Sequence, residues 1–359
     1  MQNDEVSQPI ILGETEQIDA ASGNSKRNLM ILVQGLAFAA GLSLLIYLIY
    51  SVGYQSILDS MSRVGWGFFV ILGLNISRHL LRAASLYTAI APEHRTFGYP
   101  KVAAARFGGE AVNFFSFAGP FLGDATKAVL LRRDLSLTHA ASAVISDNIL
   151  YYLSVILMIL AGVVTLLYVY GSSGQAMNNV LAMIVTGAIL LLLLPLLAIK
   201  FRIKPLSRVM AWMLSQGKLP QFISSRKHHI VDVETNVFEF YHKRPGDFFL
   251  VFGISVGVHL LSVTEVYLAM RYLGYASPVS TAFIIESLTK VINAVFGFIP
   301  GVIGAYEGGN VLILAASGFT AAAGISLALV RRGAILVSTL IGFTMLIWRA
   351  ATRTRKVLE

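Results

Sequence analysis

Arg106, Glu110 and Asn113 stand at i, i+4 and i+7, which sets a cation, a carboxylate and an amide on one face of a helix. Glu286, Lys290 and Asn293 repeat that spacing 180 residues later with the charges in reverse order. Each pair can bridge within its own helix, or Arg106 can face Glu286 while Glu110 faces Lys290. Asp124 and Lys127 lie one turn apart, just after Pro120 and Gly123. In the first turn of a helix Asp124 can serve as a cap; its alternative is contact with a cationic group or a coupling proton. Glu307, after Gly304-Ala305-Tyr306, invites the same two readings. Arg331 and Arg332 add two guanidinium groups, whose forked donors suit a phosphate.

Other chemistry is poorly supplied. The chain has no cysteine, so disulfides and thiolate metal sites are excluded. No Gly-x-x-x-x-Gly-Lys-Ser/Thr loop and no His-Glu-x-x-His spacing occurs. His228 and His229 are adjacent and do not share a helix face, so a solvated pair is expected there and no metal ion. No cofactor and no nucleic acid is expected.

The elements that carry these residues are apolar. Hydrophobic residues make up 56% of the 359 positions and charged residues 13%, with a mean hydropathy of +0.70. Soluble chains carry about 25% charge. A membrane-crossing helix needs roughly 20 apolar residues. Leu29–Tyr50, Trp66–Ile90, Thr138–Tyr170, Met177–Ile199, Phe248–Tyr272 and Thr320–Trp348 reach that length. Two more stretches are broken by glycine, proline and charge. They predict re-entrant helical hairpins at Pro100–Arg133 and Ser280–Ser317, because irregular backbone at membrane depth must be buried in protein or line water. The fold expected is therefore all-α and polytopic, with six full transmembrane helices plus two re-entrant hairpins, or eight segments by another count.

Residues 1–25 are acidic and aperiodic and read as a disordered tail; 26–350 read as a single membrane domain and 351–359 as a basic tail. The segment 200–247 is rich in lysine and arginine and includes amphipathic helical patterns, one of them Ile230, Val233, Val237 and Tyr241. The loop at Gly171–Gln175 has no charge. By the positive-inside rule, 200–247 and both termini are cytoplasmic. A basic amphipathic segment of this kind lies on an anionic leaflet.

Aligning residue n with n+180 pairs His79-Leu80-Leu81 with His259-Leu260-Leu261, Asn113 with Asn293 and Pro120 with Pro300. The loop charges make the two copies, about 66–170 and 248–349, run in opposite directions. Inverted repeats with interrupted helices are a transporter architecture whose site lies at the repeat interface. Ionisable groups at depth are costly, so these side chains must converge on a polar interior.

Asn113, Pro120, Gly123-Asp124-x-x-Lys127 and the run Pro300-Gly301-Val302-Ile303-Gly304-Ala305-Tyr306-Glu307 carry a resemblance. With the arginine-bearing last helix, the chain resembles the flippase-like transmembrane region of lysylphosphatidylglycerol synthases over residues 29–350, including stand-alone relatives of hopanoid-associated membrane proteins. It departs at Val302, where the family has glycine, at Lys127, where it has arginine, and at Asp147-Asn148, where it tends to have a glutamate-arginine pair. The aminoacyltransferase domain of full-length synthases has no counterpart within these residues, so synthesis is not expected. The resemblance implies a bacterial-type inner-membrane protein that translocates a phospholipid or related amphiphile, anionic, aminoacylated or hopanoid-related. An intramembrane enzyme acting on headgroups, and a scaffold for a lipid-biosynthesis partner, stay open as alternatives, as does a homo-oligomer.

Overall fold

The computed structural model describes residues 54–116, 120–171, 174–201 and 227–358, with isolated positions elsewhere. The acidic tail 1–25 and nearly all of the first expected span lie outside the described residues. Within them the chain is helical and has no strand. In chain order the helices are α1 Tyr54–Val64, α2 Gly67–Ala89, α3 Tyr99–Phe115, α4 Pro120–Leu131, α5 Leu137–Tyr170 and α6 Gly174–Lys200. They continue as α7 Lys227–Lys243, α8 Pro245–Tyr272, α9 Val279–Val295, α10 Ala305–Ala316 and α11 Ala321–Leu358. Single 3-10 turns occupy Pro92–His94 and Pro300–Val302. Helix α11 runs through most of the segment expected to be a basic tail.

Among the described residues, three helices are long and apolar enough to cross a membrane: Leu137–Tyr170, Pro245–Tyr272 and Ala321–Ile347. The apolar part of α6 is shorter, Asn178–Leu194. Helix α2 fills the expected span Trp66–Ile90 almost to the residue, but Asn75, Arg78, His79 and Arg82 form a polar stripe along one of its faces.

Both broken stretches fold as helix, break, helix. Helices α3 and α9 begin and end 180 residues apart. In the first unit Gly109 meets Lys127 and Gly123, and Asn113 also meets Gly123, so α3 and α4 pack antiparallel. In the second, Ile292 meets Gly309 and Thr289 meets Asn310, so α9 and α10 do the same. Close packing of helices at membrane depth relies on small residues. A Cβ at Gly123 would lie 2.6 Å from the Gly109 carbonyl oxygen, and one at Gly342 would lie 2.3 Å from that of Phe107 on α3.

Two apolar clusters form the core. One joins Leu86, Val102, Leu131, Val144 and Leu150 with Phe240 and Val251; the other joins Ile71, Met158, Val266, Ile285, Leu314 and Leu327. Helix α2 packs along α8, and α5 lies against α2, α4, α8 and α9. A clasp fixes the end of α2. Arg244 donates to the carbonyls of Thr88 (2.8 Å), Ala89 (3.1 Å) and Ile90 (2.9 Å), and Arg95 donates to those of Thr88 (2.7 Å) and Ile90 (2.9 Å). These carbonyls lack intrahelical partners and form the negative end of the helix, so two guanidiniums satisfy them; Asp247 bridges both cations.

Helix α7 carries Ile230, Val233, Val237 and Tyr241. It lies on the start of α5, with the Asn236 amide donating to Ser142 Oγ at 3.3 Å and the Tyr241 hydroxyl to the Ser146 carbonyl at 3.3 Å. Burial, reinforced by the nearby Asp147 charge, raises the Tyr241 phenol above its usual range and keeps it a neutral donor.

Candidate functional site

The buried charges fall into two networks that meet on α2. In the first, Arg82, one turn past the middle of α2, forms a two-pronged contact with Asp147 of α5, at 3.0 and 2.9 Å, and donates to Asn148 Oδ1 at 3.2 Å. Ser85 also donates to Asp147. Asn148 then donates to Asp124 at 2.8 Å, and Lys127 bonds both Asp124 at 2.8 Å and Glu110 at 2.9 Å. Arg106 closes the chain on Glu110 at 3.1 Å. Lys127 thus ties the two arms of the first hairpin together, and Asn148 ties that hairpin to α5. The carboxylates Asp147, Glu110 and Asp124 balance Arg82, Arg106 and Lys127.

The second network starts one turn earlier on α2. Arg78 lies 3.2 Å from Glu265 of α8 and donates to Ser262 at 2.8 Å. Arg331 of α11 joins Glu265 at 2.9 Å to Glu286 of α9 at 2.8 Å, and Lys290 contacts Glu286 at 2.7 Å. Next to Arg331, Arg332 pairs with Glu307, a side chain with no exposure, and donates to the Gly301 carbonyl at 2.9 Å. Glu307 in turn accepts from the Gly304 N–H at 2.7 Å. One buried pair therefore pins both sides of the break between α9 and α10. Here Arg78, Lys290, Arg331 and Arg332 outnumber Glu265, Glu286 and Glu307.

Desolvating such charges is costly unless each finds a partner, and removing one partner strands the other. The two networks therefore explain how one bundle tolerates so many ionic groups. They also settle the alternatives for the repeated pairs. Arg106 bonds Glu110 and Glu286 bonds Lys290, each within its own helix; the crossed pairing of Arg106 with Glu286 does not form. Asn113 lines a pocket of about 90 Å³ with His79, Glu110, Phe114, Ser338 and Thr339. Its counterpart Asn293 is exposed at the end of α9 and stays outside the cluster. Of the paired histidines, His259 shares a 2.9 Å hydrogen bond with Ser154, while His79 faces the pocket.

Sequence reasoning chose Arg106, Glu110, Asp124, Lys127, Glu286, Lys290, Glu307, Arg331 and Arg332, and the structure brings all of these into the two networks. Arg78, Arg82, Asp147 and Glu265, ionisable groups expected to converge on a polar interior but not assigned to the site, join them, as does Asn148. The stripe Asn75, Arg78, His79, Arg82 was the available signal: four polar groups on one face of an otherwise apolar helix.

A bundle of long apolar helices around a paired ionic interior is a membrane-embedded, multi-pass architecture. The chain belongs to the family described as Lysylphosphatidylglycerol synthase TM region, which matches residues 32–342. That family makes it a membrane protein linked to lipid metabolism or transport and associated with membrane lipids. Comparison with curated proteins and with solved structures returns no match.

Proposed function

We propose that the protein is a lipid translocase, moving a phospholipid or related amphiphile between leaflets of a bacterial-type inner membrane with both termini cytoplasmic. In this reading α3–α4 and α9–α10 are re-entrant hairpins, related as inverted repeats. The observation that carries it is the pair of buried ionic networks, one engaging each interrupted unit, that meet on α2 and draw in α5, α8 and α11. A bundle held together by apolar packing alone needs no such interior. A headgroup crossing the hydrocarbon layer does, since it must exchange water for polar partners at every depth.

Asp124→Asn is the direct test. Asp124 is partly exposed, and its loss leaves Lys127 bonded to Glu110, so the fold is expected to survive. In proteoliposomes containing a fluorescent phospholipid, the leaflet-exchange rate is expected to fall roughly tenfold, the effect of losing one charged hydrogen bond at a crossing barrier. An unchanged rate with normally folded protein would count decisively against translocation. Conversion of the lipid to a new species would favour an intramembrane enzyme.

A further inference from the structure

Histidines gather outside the two networks, where the connection from α2 to α3 meets the starts of α5 and α7. His94 ends the 3-10 turn Pro92–His94, and its ring lies 4.0 Å, centroid to centroid, from that of His139 in the first turn of α5. His139 is held in place. Its Nδ1 shares a 2.7 Å hydrogen bond with Ser136 Oγ, and the same oxygen caps the helix by accepting the His139 N–H at 3.2 Å. His229 of α7 meets the adjacent Thr138, with 3.4 Å between Nδ1 and Oγ1. Both rings of the touching pair are half-buried, so protons from water can reach them. Among the described residues no three metal-ligating side chains converge, and the chemistry argued for this pair is proton binding.

The charges that face the pair are few. Within electrostatic reach of His139 are His94 and Glu93 on the turn and Asp232 on α7. Glu93 is exposed, and Asp232 has His228 at 3.5 Å. Arg95, next to His94, is turned onto the carbonyls of Thr88 and Ile90. Asp134, between α4 and α5, is paired with Lys101 of α3. One proton on the pair is matched by Glu93 and Asp232. A second puts two like charges in ring contact beside the positive end of α5. Repulsion between unit charges about 4 Å apart shifts a local equilibrium roughly fivefold even in bulk water, and further at a half-buried site.

We propose that His94 and His139 form an acid-sensitive joint. Neutral, the two rings pack together and hold the turn on α5; doubly protonated, they part and release it. The position of the turn gives the joint its leverage. Just before it α2 ends under the clasp, where Arg95 is one of the two guanidiniums. Just after it α3 begins, carrying Arg106 and Glu110 into the first network. Release of the turn therefore loosens the clasp and the base of the first helix–break–helix unit together. The charges fix the sign. The joint is closed above the ordinary histidine range, about 6.5, and opens as pH falls below it. In the orientation proposed above it faces the cytoplasm with α7. The joint is independent of what crosses the membrane, so the translocase reading can fail without it.

The experiment is hydrogen–deuterium exchange of the purified full chain in maltoside micelles, from about pH 8 to about pH 5. Mass spectrometry follows the peptides around the turn and the first turn of α5, and each rate is divided by the intrinsic rate at its pH. The reporters are the His94 and Arg95 N–H groups, which bond the carbonyls of Ala91 and Pro92. Wild type is expected to lose protection there by at least roughly fivefold on acidification. His94→Phe keeps an aromatic ring in the contact and removes one of the two protons, so its protection is expected to change by less than about twofold. Should that variant fold poorly, His94→Gln tests the same point without an aromatic ring. His228→Gln removes an exposed histidine outside the pair and is expected to follow wild type. Protection that does not change with pH in wild type overturns the proposal. So does a loss that the His94 variants share, or one that His228→Gln abolishes.

Discussion

The first helix–break–helix unit is cross-linked to itself, whereas the second is cross-linked to the rest of the bundle. In α3–α4, Lys127 of one arm holds Glu110 of the other, and the arms touch backbone to backbone at Gly109 and Gly123. In α9–α10 the only polar bridge found between the arms is a 3.5 Å contact from Thr289 to Asn310. Its ions reach outward instead, from Glu286 and Glu307 to the adjacent arginines of α11. Similar spacing in the sequence has thus produced two mechanical designs. The arms of the first unit hold each other by an ion pair, while the ions of the second bind it to α11.

The sharpest way to break this contrast is to remove one carboxylate from each design. Glu307→Ala in the second unit leaves Arg332 with the Gly301 carbonyl alone and strips the Gly304 N–H of its acceptor, at a site with almost no access to water. A loss of about 3–5 kcal/mol is expected, as for other broken buried pairs. Asp124→Asn in the first unit leaves Lys127 on Glu110, and about 1.5 kcal/mol is expected. Unfolding in mild detergent, followed by helical circular dichroism, measures both. Equal losses would show that the first unit lacks the redundancy argued for it.

A smaller effect separates the two glycine contacts. Alanine at Gly123 drives its Cβ into backbone, 2.6 Å from the Gly109 oxygen, so the arms of the first hairpin must part; overpacking of this kind costs about 1–3 kcal/mol. Alanine at Gly309 meets Ile292 Cδ1 at 2.1 Å. Ile292 Cγ1 also comes within 2.9 Å, so a β-branched side chain must shift; side-chain atoms give way more readily than backbone, and the cost is expected to be the smaller of the two. The same unfolding measurement ranks the two, and the reverse order would mean that the second hairpin is the tighter of the pair.

Much of this was legible because membrane helices announce themselves locally. Trp66–Ile90, Thr138–Tyr170 and Phe248–Tyr272 differ from the observed helices by at most three residues at either end, since length and apolarity are properties of one segment. Polar residues at helical spacing also marked α3 and α9. The partners were not legible. Arg82 and Asp147 lie 65 residues apart, Arg78 and Ser262 lie 184 apart, and only the packing of α2 against α5 and α8 brings them together. Asp147-Asn148 read as a departure from the family pattern, yet Asn148 is the link between Arg82 and Asp124. A substitution pattern shows that a position has changed, whereas its new role depends on the helix opposite.

Val302 offers the gentlest probe of how firmly α11 holds the second break. Its φ is +53°, in the left-handed region where a β-branched residue is strained. The neighbouring Gly301, at φ +60°, is held by Arg332 through its carbonyl, and Gly304, at φ +79°, is held by Glu307 through its N–H. Val302 therefore sits between two fixed points and has no room to relax. Strain of this kind costs about 1–3 kcal/mol, while glycine adds chain entropy to the unfolded state worth roughly 0.5–1 kcal/mol. Val302→Gly is expected to raise stability by up to about 2 kcal/mol. If α11 is what imposes the strain, the gain must vanish in an Arg332→Gln background, where the Gly301 tether is weakened and valine can leave the left-handed region. A gain that persists there would mean that the break enforces its own geometry, and the two units would then be alike in the respect in which they are contrasted here.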